Sequence, residues 1–231
     1  MRRYEELSAA EASSLLPRSV VVLPVGSLEQ HCGGPLGADL AIAERAAEAA
    51  CGELEARGVD CVVAPPVAYG LSAEWSGTPG TVGLSLGTFQ GLVRDVVAGL
   101  VRAGARRVVV LNGHYGNSAA IEAALRDLMP ALPEGAAVVQ VDYWEALGLD
   151  VGHASAAEAE VLRALGVEAD FGACEEAPPS PPGARVYVRP PARPRSAPAA
   201  PKGGLDGRSL ARALADAIQR ALSSAGSAPL P

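Results

Sequence analysis

Four short apolar runs, at 19–25, 59–64, 107–111 and 136–141, are rich in β-branched residues and bounded by glycine, proline or charge, so each predicts a buried strand. Between them the apolar spacing becomes helical. Leu40, Ala43, Ala47 and Ala50 share one face of a helix predicted over 39–57; Leu92, Val96 and Leu100 do so over 88–103, and Ile121, Leu125 and Leu128 over 118–128. After GGLDG, Leu210, Leu214, Ile218 and Leu222 mark a last amphipathic helix. Strands alternating with helices predict an α/β fold: a three-layer αβα sandwich around a mainly parallel sheet, in one domain spanning 1–231.

Two segments interrupt this rhythm. The link from 64 to 88, PPVAYGLSAEWSGTPGTVGLSLG, is too long and too rich in Gly, Ser and Pro for a simple crossover and is a candidate active-site loop. From 178 to 201 the chain holds 9 of its 19 prolines, which predicts an extended surface segment, with 185–188 as an edge strand. Residues 223–231 read as a flexible tail.

Composition narrows the function classes. A formal net charge of −7, with no basic run, offers little attraction to a phosphate backbone, so nucleic acid is excluded as a partner. The acidic N-terminus lacks the apolar core of a signal peptide and no run reaches bilayer-spanning length, so a membrane is excluded too. Cys32, Cys51, Cys61 and Cys174 form no CxxC pair and fit neither a zinc knuckle nor a disulfide framework; a reducing cytoplasm is the expected compartment.

Open α/β sheets bind ligands at the carboxyl ends of their strands, and all 3 histidines of the chain follow strand runs. GSLEQHCGGPLGAD, after the first run, carries Glu29, His31 and Asp39; NGHYGN, after the third, carries His114; GHASAAEAE, beyond the fourth, carries His153, Glu158 and Glu160. Imidazole nitrogens with carboxylate oxygens suit Zn²⁺, Mn²⁺ or Fe²⁺, and a carboxylate can bridge two ions. Such a pair lowers the pKa of a bridging water and polarises a carbonyl, hydrolysing an amide without a protein nucleophile. Glu29 and His31, two residues apart, can point to the same side of an extended loop, and Asp39 opens a helix whose dipole favours a carboxylate.

Plainer alternatives stay open at this point: a hydrogen-bonded Glu29–His31 loop pair, a helix-capping His114, a surface His153 and a solvated charge at Glu158. Glu160 reads as solvated, Tyr143 and Trp144 as core, and Cys32 as a buried bystander. NGHYGN lacks the spacing of phosphate-binding glycine loops, and GSLEQ is not a nucleophile elbow, which disfavours nucleotide binding and serine hydrolysis.

Together the three motifs resemble the creatininase (creatinine amidohydrolase) family, whose pattern reads G-S-x-E-Q-H-G-x-H-L-P-L-x-T-D after the first strand, N-G-H-x-x-N after a later one, and H-A-G-x-x-E-T beyond. The resemblance covers 21–160 and extends through KGGLDG and the last helix. It implies two divalent ions (Zn, Mn or Fe) per chain, one held by Glu29, Asp39 and His114 and the other by His31, Asp39 and Glu158, with Asp39 bridging. Creatininase has a Glu two residues after the NGH histidine; here that position is Gly116, which moves the fifth ligand to Glu158. By the same resemblance His153 is the proton shuttle, with Glu158 as the second catalytic residue. The family's Y-G-x-S-x-E core is kept in the 64–88 link, which makes Ser72, Glu74 and Trp75, with Tyr115, candidate substrate-lining residues. The chain departs from the pattern between His31 and Asp39: it is one residue shorter, CGGPL replaces GxHLPL, and Ala38 replaces Thr. Either the loop tightens, with Gly33 and Gly34 taking positive φ, or the site is altered.

The resemblance implies metal-dependent hydrolysis of a non-peptide C–N bond, cyclic amide or formamide, in a small molecule. The substrate classes it offers are a cyclic amide such as creatinine, a modified peptide of redox-cofactor maturation, and a formylamino-pyrimidine ribonucleotide; the last defines the named alternative, a deformylase of riboflavin and deazaflavin biosynthesis. A non-catalytic homologue acting in assembly or ligand binding is the alternative from another class. Family members form hexamers, so a homo-oligomer is expected.

Overall fold

The computed structural model describes residues 1–172 and 204–225. The proline-rich segment 178–201, its expected edge strand and the tail beyond 225 lie outside the described residues. Five parallel strands form one sheet in the order β1-β3-β2-β4-β5. They are β1 (Arg2–Arg3), β2 (Val20–Val25), β3 (Cys61–Val63), β4 (Arg107–Asn112) and β5 (Ala137–Asp142). The central pair, β2 and β4, runs in register from Val20↔Arg107 to Val25↔Asn112.

Both central strands are covered on two faces, which is why they read as unbroken apolar runs. Strand alternation still decides where each residue packs. Val20, Val22, Val109 and Leu111 face a layer of α2 (Ala38–Ala56), α5 (Tyr143–Leu147), α6 (Ala156–Ala164) and α7 (Gly207–Ser224). Val21, Leu23, Val108 and Val110 face α1 (Ala9–Leu15), α3 (Leu86–Arg102) and α4 (Ser118–Leu128). The expected αβα layering is therefore present, and Tyr143 and Trp144 are core residues as expected.

Two helices that the apolar pattern did not announce, α1 and α6, begin at caps. Ser8 and Glu11 exchange hydrogen bonds in a capping box that starts α1. Ser155 accepts the Glu158 N–H and starts α6. The two-residue β1 is too short to carry a hydrophobic signature and is added at the sheet edge by pairing with β3.

One expectation is corrected. Cys51 of α2 and Cys61 of β3 form a disulfide across Cα atoms 5.4 Å apart, both residues fully buried. The bond links a helix to the strand on which it folds back, a pairing that no CxxC spacing announces. Cys32 is also disulfide-bonded, and it is exposed rather than a buried bystander. Cysteine usage thus gives no support for a reducing compartment. Among the described residues, no helix is long and apolar enough to cross a membrane.

The topology places a crevice. β2 connects through α2 to β3 on one side, whereas β4 connects through α4 to β5 on the other. The connections diverge at the carboxyl ends of β2 and β4, the position where open α/β sheets bind ligands. Phe89 of α3, fully buried, anchors the layer opposite α2. Phe89→Ala is expected to lower stability by about 3–5 kcal/mol through an unfilled cavity, measured as a reduced denaturant midpoint with unchanged far-UV circular dichroism of the folded state.

Candidate metal centre

The crevice is filled from four directions. Glu29 and His31 lie on the loop after β2, Asp39 in the first turn of α2, His114 just after β4 and Glu158 in the first turn of α6. Close backbone approach delivers Asp39: a Cβ on Gly26 would stand 2.5 Å from Leu40 Cα, and one on Gly113 2.4 Å from the Asp39 carbonyl. The glycines of GSLEQH and NGH are thus the ground on which the start of α2 rests.

Asp39 is the centre of the cluster. Its Oδ2 lies 2.9 Å from His114 Nδ1 and accepts the Ser27 hydroxyl at 2.6 Å, while Oδ1 lies 3.4 Å from His31 Nε2. Glu29 Oε2 faces His114 Nε2 at 3.6 Å, and Glu158 Oε2 faces His31 Nε2 at 3.9 Å. Among the described residues, ligand atoms converge in three groups that could hold a cation: Glu29, Asp39 and His114; His31, Asp39 and Glu158; and Glu29, His31 and His153, the atoms of each group within 4.8 Å of one another. All of these residues are buried except His153, which is partly so. Glu29 Oε2 and His31 Nε2 are buried without a hydrogen-bond partner. Unsatisfied buried polar atoms are costly, and these two fit the donor positions of a divalent ion with oxygen and nitrogen ligands.

The surrounding chain holds the ligands in place. His31 Nδ1 is 3.0 Å from the Glu29 carbonyl, which leaves Nε2 for the cluster. Asn112 Oδ1 accepts the His114 N–H while its Nδ2 donates to Asp142 at 2.7 Å. Asn117 donates to the Gly26 carbonyl and accepts the Leu71 N–H, tying both strand ends to the 64–88 link. Both asparagines are fully buried.

Charge explains the titration behaviour. Burial opposes protonation of His31, yet the close negative charge of Asp39, with that of Glu158, outweighs it and pushes its pKa up to about 9. At His114 burial is likewise overcome by Asp39 and Glu29, to about 10. Asp39, although buried, is held well below the carboxylate range by the two imidazoles. Burial and then the Asp39 charge push Glu158 up to about 8. Without a cation, protons on the histidines supply the positive charge, so cation binding must release protons.

The remaining expected residues separate. Trp75 stacks on His153 with ring centroids 4.5 Å apart, and His153 Nδ1 lies 3.2 Å from Glu29 Oε1. Ser72 is buried with an unpartnered hydroxyl, whereas Glu74 is exposed and Tyr115 is 64% exposed beside Trp144. Glu160 is corrected from solvated to buried: its Oε1 accepts the Leu205 N–H at 2.8 Å and anchors the chain entering α7. The shortened metal loop is also corrected, because its positive φ falls on Cys32, at 55°, and not on Gly33 or Gly34. Gly34 is small because the Phe171 ring occupies the space of its Cβ, and the Gly33 N–H donates to the Phe171 carbonyl. Ser27 and Gln30 were missed, although both stand inside the GSLEQH motif that signalled their neighbours.

The family model for creatininase, described as creatinine amidohydrolase, matches residues 5–217. The chain belongs to the creatininase family. It is 34% identical over 174 residues to a creatinine amidohydrolase of Pseudomonas putida, a match covering 63% of this chain and 64% of that protein. It is 38% identical over 120 residues to a mycofactocin precursor peptide peptidase of Mycolicibacterium smegmatis, covering 51% of this chain and 47% of the relative. The chain thus matches less than two thirds of the length of these curated relatives. Among solved structures, a mutant creatininase superposes with a TM-score of 0.69 at 26% identity over 96% of both chains. Two further creatininases, one described with manganese and one mutant as a zinc–zinc type, each give a TM-score of 0.64 at 27% identity over 96% of both chains.

Two predictions follow from the geometry. Gly113→Ala is expected to push the first turn of α2 off β4 and weaken metal binding at least about tenfold, measured by competition with a chromogenic chelator, with far-UV circular dichroism unchanged. For the ion-free chain, the raised His31 and His114 values contribute stability that is complete below their ordinary 6.5 and lost as pH rises through about 9 and 10. Glu158, raised from 4.5 to about 8, acts in the same direction within that lower window. Thermal unfolding in EDTA should therefore fall from neutral to alkaline pH, and saturating Zn²⁺ or Mn²⁺ should reverse the loss.

Proposed function

We propose that the chain is a divalent-metal-dependent amidohydrolase that cleaves a non-peptide C–N bond of a small molecule. The observation that carries this reading is the pair of buried ligand groups sharing Asp39, with Glu29 Oε2 and His31 Nε2 left unpartnered. In this reading Glu29, Asp39 and His114 hold one ion; His31, Asp39 and Glu158 hold the second. When bound, the ions supply Lewis acidity that activates water and polarises a carbonyl.

The protein's own residues supply the rest. Ser27 fixes the rotation of the Asp39 carboxylate, so that each oxygen faces a different histidine. Gly116 cannot carry a ligand side chain, because a Cβ there would lie 2.5 Å from His114 Nε2 and from the Leu71 carbonyl. The fifth ligand therefore comes from α6, where the Ala154 N–H donates to Glu158 Oε2 at 2.8 Å and orients it. His153, facing Glu29 and covered by Trp75, is placed to serve a departing nitrogen as proton donor. Ser72 offers its hydroxyl to a polar substrate group. Similarity to a creatinine amidohydrolase supports a cyclic amide as the first substrate class; similarity to a precursor peptide peptidase makes a peptide amide the second.

The test loads purified protein with Zn²⁺ or Mn²⁺ and screens cyclic amides, formamides and short peptides. Two bound ions and turnover of a panel member are expected, and Asp39→Ala should abolish both together. Glu158→Gln should remove one ion and leave the other, read by elemental analysis. Retention of metal by the Asp39 variant, or an unsubstituted chain that binds no ion and hydrolyses nothing, would overturn the reading.

A further inference from the structure

His153 differs from the other two histidines in that both of its ring nitrogens face protein groups outside the Asp39 pairings. Nδ1 lies 3.2 Å from Glu29 Oε1, and Nε2 lies 3.0 Å from Nε2 of Gln30. The ring is also confined laterally: Trp75 stacks on it with an interplanar angle of 28°, and the His31 ring lies 4.4 Å away, tilted by 38°.

A contact between two nitrogens is a hydrogen bond only if one presents a lone pair. The orientation of the Gln30 amide decides which. Its Oε1 accepts the backbone N–H of Cys32 at 3.0 Å, and a backbone N–H can only donate. The flipped amide would oppose two donors there, so the NH₂ group must face His153. His153 Nε2 is then the acceptor. A neutral imidazole has one ring proton, which leaves it on Nδ1, opposite a carboxylate oxygen. The backbone of Gln30 is itself fixed, since its N–H donates to Thr81 Oγ1 at 3.0 Å. Donors thus run one way, from Cys32 to Gln30, from Gln30 to His153 and from His153 to Glu29.

We propose that Gln30 is a positioning residue that holds neutral His153 in the Nδ1–H tautomer, presenting a donor to the carboxylate cluster and a lone pair to Gln30. The consequence concerns what His153 can do to a bound molecule, and so it rests on the placement of the reaction at the Asp39 cluster. Facing the cluster, the Nδ1–H donates a hydrogen bond to a carbonyl oxygen or a departing nitrogen, and it passes its proton on only as a second proton reaches Nε2 from the Gln30 side. The neutral ring accepts a proton only at Nε2, on the Gln30 side, so proton abstraction on the cluster side falls to a carboxylate.

Long-range ¹H–¹⁵N correlation spectra of the ¹⁵N-labelled chain, recorded with Zn²⁺ and in EDTA on the neutral rings, read the tautomer directly. Only 3 histidines contribute, and His153→Asn identifies the third pattern by its loss. The unsubstituted protein should show a protonated Nδ1 and a bare Nε2 at His153. Gln30→Glu, which places an acceptor opposite Nε2, should move the proton to Nε2, and Gln30→Met, which has neither donor nor acceptor of comparable strength, should give a mixture. An Nε2–H ring in the unsubstituted protein overturns the proposal even if a variant fails to fold, as does an unchanged pattern in both folded variants. Zinc content is measured on the same samples: its absence counts against the metal centre, whereas the tautomer pattern in EDTA bears on Gln30 alone.

Discussion

Buried charge that must be balanced inside the protein governs the carboxyl edge of this sheet. Glu29, His31, Asp39, His114 and Glu158 are all at most 8% exposed, and an unpaired ion in such surroundings is strongly disfavoured. Asp39 meets this constraint by facing one imidazole with each oxygen. The same arrangement raises the proton affinity of both histidines and, by like-charge repulsion, that of Glu158. A site that must borrow protons to stay balanced is also a site that exchanges them for cations.

The scaffold serves that cluster through backbone proximity more than through bulk. Gly26 and Gly113 let the first turn of α2 lie against the ends of β2 and β4, so one carboxylate reaches both sides of the crevice. Asn112 and Asn117 then turn the polar backbone of the strand ends into fixed contacts with His114 and the 64–88 link. This explains the side chains flanking the histidine in NGHYGN without giving them a chemical step. Glu160 plays a comparable part further away, using a buried carboxylate to fix where α7 begins. The disulfide between Cys51 and Cys61 fastens the opposite end of α2 to the sheet.

Most of the layered architecture was legible because central parallel strands are buried on both faces and therefore leave continuous apolar runs, while the helices on them keep a 3.6-residue period. The runs at 19–25, 107–111 and 136–141 became β2, β4 and β5 within a residue at each end. The failures have local causes. The run at 59–64 shrank to Cys61–Val63, since its first residues form the turn out of α2. β1 carries no apolar signal, α1 is announced only by its capping box, and a cross-element disulfide leaves no spacing to read.

The sequence by itself determined which residue types the chain can bring to the strand ends: three histidines and a surplus of carboxylates, placed after apolar runs in ordered motifs. It determined this because strand periodicity and motif position are local properties. Only the tertiary structure decided that Asp39 stands between two histidines, that Glu160 turns inward while Tyr115 turns outward, and that Gln30 reaches His153 across 123 positions of sequence. Those outcomes depend on how closely α2 approaches β2 and β4 and on where α6 packs, distances set by glycine contacts and core packing between segments remote in the chain.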